Sequence, residues 1–364
     1  MLRWAQRKGA VLMTVWFRRW ALGAGLILIA GCGPTQSIPT SAGAASAGTH
    51  EASQTPNGGV GVMPQALTTQ DADLGSSWIL PEAKAQDLIY YSIPSLSNPK
   101  LGRTYILSLP QGKLVGEIKA NGGLCSDNSG NVWMSGYPYG NGKKLAEFAH
   151  GLVKPIKILR APNIPAGCAI DPTLGNVATI IGDHDFVIYN SGGSQLQTVT
   201  YNKLYLGGLT YDGNGNLFIL GEAVDGPKAR LKIAELPKGA TKIGILPGFN
   251  IGRLGHSGFE WDGKHLTEGD SLNEGGHEIF RYKLGRNRLK SRGWVEIGDS
   301  DFAYMADYWI QGSKVVVTAT CGSGTCAAPI YLYNYPAGGN AIKAIGQGVV
   351  PSASGQVTIS VAPK

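Results

Sequence analysis

Three polar side chains at alternate positions first suggest a metal site. The stretch 208–218 reads GLTYDGNGNLF and places Asp212, Asn214 and Asn216 two residues apart, the spacing with which an EF-hand calcium loop begins. Such a loop also needs Gly at its sixth position and Glu at its twelfth, where this chain has Leu and Ala. We therefore interpret the stretch as a turn in which Asp accepts backbone N–H bonds and Gly supplies a positive φ.

A carboxylate two residues before this type of turn is the better candidate for chemistry. Copies of the stretch occur at 123–133, 167–178 and 258–267. In the four stretches, taken in chain order, the residue two positions before the Asp is Cys125, Ala169, Thr210 and Glu260. A buried, unpaired carboxylate is costly, so Glu260 should be paired, metal-bound or in contact with water. Residues close to it in sequence that could join it are His256, Trp261, Asp270, Asp299 and Asp301. Two interpretations stay open: a ligand of Ca²⁺ or another divalent cation, or a solvated carboxylate bonded to backbone N–H groups.

A histidine and several aromatic residues are further candidates for chemistry or binding, but structural roles can also explain them. His184 lies between Asp183 and Asp185, but successive strand residues point to opposite faces, so we expect a solvated turn rather than a metal site. Aromatic side chains could either bind a ligand at a surface or pack between elements, and these are Tyr137, Tyr139, Tyr201, Tyr205, Tyr304, Tyr308 and Trp309.

The five cysteines divide into three groups. Cys321 and Cys326 enclose a four-residue loop between two apolar stretches, and in an oxidising compartment they are expected to form a disulfide. Cys125 and Cys168 are displaced by one position relative to their Asp, which favours two buried thiols over a bridge between them. Cys32 belongs to the N-terminal signal described below.

The Asp turns belong to a repeat that extends through most of the chain. Their leading glycines are 44, 41 and 50 residues apart. Strand-turn-strand hairpins alternate with them at 105–118, 145–159, 186–199, 232–246, 279–291 and 330–345. Short strands at this spacing, with a period of 40–50 residues, are typical of four-stranded propeller blades. The sequence therefore predicts an all-β domain over 78–364, a six-bladed β-propeller of four-stranded blades.

The first repeat unit lacks a leading strand, whereas the last repeat unit is followed by one additional strand-like segment. Residues 355–363 read GQVTISVAP and alternate like a strand after the sixth hairpin. We predict that this segment supplies the inner strand of blade 1 and closes the ring, which removes open sheet edges.

The N-terminus carries a targeting signal. Arginines precede the apolar stretch 21–30, which is too short to span a bilayer, and Cys32 follows it. The tetrapeptide 29–32, Ile-Ala-Gly-Cys, resembles the lipobox of bacterial lipoproteins, which implies a signal peptide over 1–31 and fatty acylation of Cys32. By the same resemblance Gly33 favours the outer membrane. Residues 32–77 are rich in small and polar side chains and are predicted to be a flexible tether. The start could be Met1 or Met13.

Net charge gives little guidance on partners. The formal charge is +7, but five cations and no acid lie within residues 1–31. Subtracting those five leaves +2, so the mature chain is nearly neutral, and we expect no nucleic-acid partner and no polybasic membrane patch.

The Asp turns and the hairpin 331–339, YLYNYPAGG, resemble NHL-type and gluconolactonase-like six-bladed propellers, and most of all uncharacterised bacterial propeller lipoproteins. The resemblance covers about residues 78–364 and implies the fold. We expect a membrane-anchored binding scaffold in a bacterial cell envelope, without a cofactor and with a protein or carbohydrate ligand at the channel mouth. The alternative is a metal-dependent lactonase-like hydrolase, because such propellers hold a divalent cation in the channel and Glu260 could be one of its ligands.

Overall fold

The structure, a computed structural model, describes residues 76–95, 98–224, 230–249, 257–273, 276–286, 288–298, 304–320, 329–351 and 353–363. Strands within these ranges form six antiparallel sheets, each of which is one blade. Two short 3-10 helices, Pro81–Ala85 and Pro99–Leu101, lie in the first blade.

The first three blades are formed as follows, with strands numbered along the chain. Blade 1 contains β1 (Trp78–Ile79), β2 (Leu88–Ile93), β3 (Arg103–Ser108), β4 (Leu114–Ile118) and the last strand, β25 (Gln356–Ser360). Blade 2 contains β5 (Gly123–Ser126), β6 (Val132–Ser135), β7 (Lys144–Phe148) and β8 (Lys157–Arg160). Blade 3 contains β9 (Ala166–Ile170), β10 (Val177–Ile180), β11 (Asp185–Tyr189) and β12 (Gln195–Thr200).

The other three blades have the same order of strands. Blade 4 contains β13 (Leu204–Tyr211), β14 (Leu217–Ala223), β15 (Leu231–Leu236) and β16 (Gly244–Ile245). Blade 5 contains β17 (Phe259–Trp261), β18 (Leu266–Asn273), β19 (Gly276–Gly285) and β20 (Arg288–Ile297). Blade 6 contains β21 (Tyr304–Gln311), β22 (Lys314–Thr320), β23 (Ile330–Asn334) and β24 (Lys343–Ile345).

The innermost strands make a closed ring. Each contacts its two neighbours in the cyclic order β25, β5, β9, β13, β17, β21 and back to β25. The prediction of a six-bladed, all-β propeller is therefore confirmed. All six inner strands run in the same direction, so their first residues share one end of the channel, which we call the upper mouth.

The core lies between blades rather than within them. Each of the six apolar clusters joins side chains of two neighbouring blades, and together the clusters cover all six junctions of the ring. One blade exposes two faces and cannot bury both alone, which explains why the repeat needs a complete ring.

The Asp turns have the predicted structural role. One oxygen of Asp212 accepts the N–H groups of Asn214 and Asn216, both at 2.9 Å, and the other accepts the Asn216 side-chain amide at 2.9 Å. Gly215 has φ of +85°, the left-handed conformation that favours glycine. All of these bonds are internal to the turn, so this carboxylate is used as a turn cap.

Ring closure by the C-terminus is confirmed, and blade 1 has one strand more than predicted. β25 pairs with β2 from Leu88–Ser360 to Ser92–Gln356. On the outer edge of the same blade, β1 pairs with β4 through two residues. A strand this short has no alternation that a sequence pattern could reveal.

Candidate functional site

Two carboxyl groups lie on neighbouring inner strands of the ring, and the charge of one acts on the other. Glu260 lies on β17 of blade 5, and Asp307 lies on β21 of blade 6, next to a bulge at Ala306 that interrupts the pairing of β21 with β22. Bulges commonly redirect a side chain. One oxygen of Asp307 accepts the N–H of Val357 on β25 at 3.0 Å. The other oxygen of Asp307 faces blade 5 and lies close to Gly258. A Cβ atom added to that glycine would be 3.1 Å from this oxygen. Asp307 therefore spans the junction of three blades.

Both carboxyl groups hold protons more tightly than usual. The side chains of Glu260 and Asp307 are partly exposed, but protein atoms surround their carboxyl groups and reduce their hydration. Burial raises the pKa of Asp307 from 3.8 to about 7, although N–H groups of Val357 and Tyr308 oppose the shift. Burial, and then the charge of Asp307, raise the pKa of Glu260 well above its ordinary value. Both shifts favour the protonated, neutral form of these carboxyl groups.

This arrangement can donate or accept a proton, or bind a polar group in the channel. The hydroxyl of buried Tyr308 donates to Thr267 at 2.9 Å and is not directed to a ligand, whereas Thr267 donates to the Glu260 carbonyl at 3.1 Å. Among the described residues, no three His, Cys, Asp or Glu side chains converge on a point that could hold a metal ion. The assignment of Glu260 as a metal ligand stays a prediction.

Replacing Asp307 by Asn should change how stability depends on pH. Because the folded-state pKa of about 7 exceeds the ordinary 3.8, the stabilisation linked to the Asp307 proton is complete below about pH 4 and is lost as the pH rises to about 7. Asn cannot ionise but retains an oxygen for the Val357 N–H. We expect the decline between pH 4 and 7, at most about 1.4 kcal/mol per pH unit for one proton, to become shallower in urea titrations.

The neighbouring acids define the control for that experiment. Glu260 on β17 has a pKa shifted in the same direction, so some decline should survive the substitution. Asp183→Asn removes an exposed carboxylate from the turn before β11 and should leave the decline unchanged. Equal slopes in the Asp307→Asn variant and the wild type would contradict the assignment.

A second polar group lies at the turn of blade 5. Asp262 accepts hydrogen bonds from the N–H groups of Lys264 at 2.8 Å and His265 at 2.5 Å, and from the Tyr335 hydroxyl of blade 6 at 2.6 Å. Burial alone would raise the pKa of Asp262, but these hydrogen bonds outweigh it and lower the pKa. Arg281 completes the group, with its Nε 3.6 Å from the same carboxylate. Every member has a structural partner, so this group joins blades 5 and 6.

The cysteine prediction for the inner strands was wrong. Cys125 of β5 and Cys168 of β9 form a disulfide, with Cα atoms 5.7 Å apart. The displacement by one position does put them on opposite faces of equivalent strands. Neighbouring blades, however, present opposite faces to one another, so such residues meet at the junction of blades 2 and 3. The bridge therefore fixes two inner strands of the ring.

Aromatic side chains at the inner strands divide into packed and exposed groups. Tyr308 is completely buried and Tyr201 is nearly so, which places both in junctions between blades. Tyr205 and Tyr304, at the starts of β13 and β21, are 46% and 47% exposed at the upper mouth. The Tyr205 ring lies 4.7 Å from the ring of His184, whose Nδ1 is 2.7 Å from the Leu204 carbonyl oxygen. His184 is thus held in a turn, as predicted.

Several predicted site residues lie outside the described ranges. These are Cys32, Cys321, Cys326, His256, Asp299 and Asp301. The signal peptide over 1–31 and almost all of the tether over 32–77 lie there too. No helix of the described part is long and apolar enough to cross a membrane.

Comparison with known proteins shows no family for this chain. No family model matches the chain, and no curated protein matches it. Among solved structures, a functionally unknown protein from Desulfotomaculum acetoxidans is 13% identical with a TM-score of 0.47, covering 77% of this chain and all of its own. A gluconolactonase from Xanthomonas campestris is 12% identical with a TM-score of 0.48, covering 79% and 95%. Hydrazine synthase from Kuenenia stuttgartiensis is 11% identical with a TM-score of 0.46, covering 72% and 83%. At these identities and TM-scores the likenesses carry no argument about this chain, and the fold rests on its own strand pairing.

Proposed function

We propose that this protein is a lipid-anchored binding scaffold of a bacterial cell envelope, with its ligand held at the upper mouth of the propeller. The observation that carries the proposal is the pair of exposed aromatic side chains, Tyr205 and Tyr304, at the starts of two inner strands. Aromatic side chains with a polar tip contribute large contact areas to carbohydrate and protein ligands at little entropic cost.

An extracytoplasmic location is supported by the disulfide between Cys125 and Cys168. Structural disulfides persist in oxidising compartments and are rare in the cytosol of mesophiles. The lipobox-like sequence at 29–32 supports anchoring through Cys32, and Gly33 after it favours the outer membrane.

Replacement of Cys32 by Ser tests the anchor. Without the thiol no diacylglycerol can be attached, so the variant should move from the membrane fraction to the soluble envelope fraction. Immunoblots of fractionated cells would measure this, with Ser37→Ala, a change in the predicted tether that leaves Cys32 intact, as the control. Unchanged membrane association of the Cys32→Ser protein would refute lipid anchoring.

Replacement of both mouth tyrosines by Ala tests the binding site. On an array of cell-envelope oligosaccharides, and on immobilised envelope proteins, loss of two aromatic contacts should weaken binding by 10-fold or more, at about 1 kcal/mol or more per ring. Trp78→Ala removes a 38% exposed aromatic side chain from the outer edge of blade 1 and serves as the control. Retention of every ligand by the double variant would exclude this mouth.

A metal-dependent lactonase-like hydrolase is the second candidate, and the Glu260–Asp307 pair is the observation in its favour. It requires a divalent cation bound through Glu260. Elemental analysis of the purified protein should then show one such ion per chain, lost on Glu260→Gln. A protein that hydrolyses no sugar lactone with Ca²⁺, Mg²⁺ or Zn²⁺ added would remove this candidate.

A further inference from the structure

One hairpin concentrates positive charge that the small net charge conceals. The hairpin between β19 and β20 of blade 5 carries five cations and no acid within residues 283–292. All five side chains are exposed, and none has an ion-pair partner among the described residues: Lys283, Arg286, Arg288, Lys290 and Arg292. Because the chain after residue 31 has a formal charge of +2, the remainder of it is net negative.

The charges are segregated rather than interleaved. Lys283 is paired directly with Lys290 across the hairpin, and four residue pairs further along Glu278 is paired with Glu296. Like charges directly opposite one another are destabilising, whereas an exchange of Lys290 and Glu296 would give two favourable pairs. Protection of an outer edge strand needs only scattered charges of either sign. A cationic tip maintained against this repulsion indicates an anionic partner.

The hairpin is held firmly in place. Leu289 is buried, and its N–H donates to the Pro247 carbonyl of the preceding blade connection at 2.9 Å. Tyr282, at the base of the tip, packs against Phe249 with ring centroids 4.9 Å apart. The cations are therefore displayed on a fixed element at the periphery of the ring.

We infer that this cationic hairpin docks the propeller onto an anionic membrane surface through lipid headgroup phosphates. The inference rests on the proposed lipid anchor, which holds the chain at such a surface. Each Lys or Arg near an anionic bilayer raises the partition coefficient about fivefold, so the hairpin alone binds weakly. Tethering converts this weak contact into stable docking, because the second binding event becomes intramolecular.

The character of the surface favours a membrane over an acidic protein. The apolar residues of the tip, Leu284 and Leu289, pack into the blade 4–5 junction and leave no apolar anchor among the cations. Protein interfaces generally depend on buried anchors, whereas a charged bilayer requires only charge density.

The test uses the mature chain with Cys32→Ser, so that acylation does not contribute. Cosedimentation with phosphatidylglycerol–phosphatidylcholine vesicles at low salt should show binding that pure phosphatidylcholine lacks and that physiological salt weakens. Lys290→Glu changes the tip by two charges and should lower the partition coefficient about 25-fold. It also places Glu opposite Lys283, so thermal stability should be kept or increased.

The matched control is Lys203→Glu, the same charge change at an exposed lysine between blades 3 and 4, which should alter binding less than twofold. Equal vesicle binding by Lys290→Glu and its parent, or no preference for the anionic lipid, would overturn the inference. Lys290-dependent retention on polyglutamate without vesicle binding would also overturn it, in favour of an acidic protein partner. Because the tested chain is unlipidated, these outcomes are independent of whether Cys32 anchors the native protein.

Discussion

A chain that ends at Ser354 is expected to lose the folded propeller. The ten missing residues include β25, the inner strand of blade 1, and with it all of the pairing between β25 and β2. Val357 and Ile359 are each 1% exposed, and burial of such side chains stabilises by roughly 2 kcal/mol apiece. The loss also opens the contacts of β25 with β5 and β21. The sum approaches the 5–15 kcal/mol by which whole domains are stable.

The measurement is cooperative unfolding followed by near-ultraviolet circular dichroism, together with limited proteolysis. The truncated chain should show no cooperative transition and should be digested throughout. The control is a chain that ends at Ala362, which retains β25 and the 2.8 Å bond from the Ala362 N–H to Asp87. That control should unfold like the wild type. A truncated chain that keeps the wild-type transition would contradict the role of β25 in closure.

Removal of the disulfide by Cys125→Ala with Cys168→Ala is expected to lower the free energy of unfolding by about 4 kcal/mol. The bridge closes a loop with a sequence separation of 43, and the chain-entropy relation gives this value for such a loop. For a domain of about 290 residues the midpoint of thermal unfolding should fall by roughly 7 °C. Urea titration and calorimetry would measure both quantities.

The control for the disulfide is the wild-type protein with and without reductant. Reduction should reproduce most of the loss seen in the double variant and should have no further effect on it if no other bridge contributes. Peptide mapping without reduction should recover residues 125 and 168 in one cross-linked fragment. Recovery of both as free thiols from the oxidised protein would refute the bridge.

The sequence was sufficient to predict the architecture because the repeat is explicit. Asp212 and its equivalents mark the first turn of a blade, and the hairpins mark its end, so the number of blades could be counted. Strand alternation at 355–363 was enough to predict closure, since a ring with a missing inner strand has only one element left to fill it.

The candidate site was harder to predict because it depends on what neighbouring blades present to one another. Glu260 was found as the odd member of an alignment, but its partner Asp307 lies on β21, which has no Asp turn to align. The Cys125–Cys168 bridge was missed for a similar reason, since a pattern within one strand says nothing about the face of the next blade. The cations of the hairpin can be read from the sequence, but the small net charge of the chain gave no indication that they are concentrated in one place.

The two-residue strand β1 has a mechanical consequence. Any tension transmitted along the chain from residues before Trp78 reaches β1 first, at the outer edge of blade 1. The closing strand β25 lies at the opposite edge of the same sheet, beside the channel. A pull on the N-terminal side therefore peels a short peripheral strand from β4 and leaves the inner ring under no direct load. Under tension from the N-terminal side, β1 should therefore detach before any strand of the inner ring is loaded.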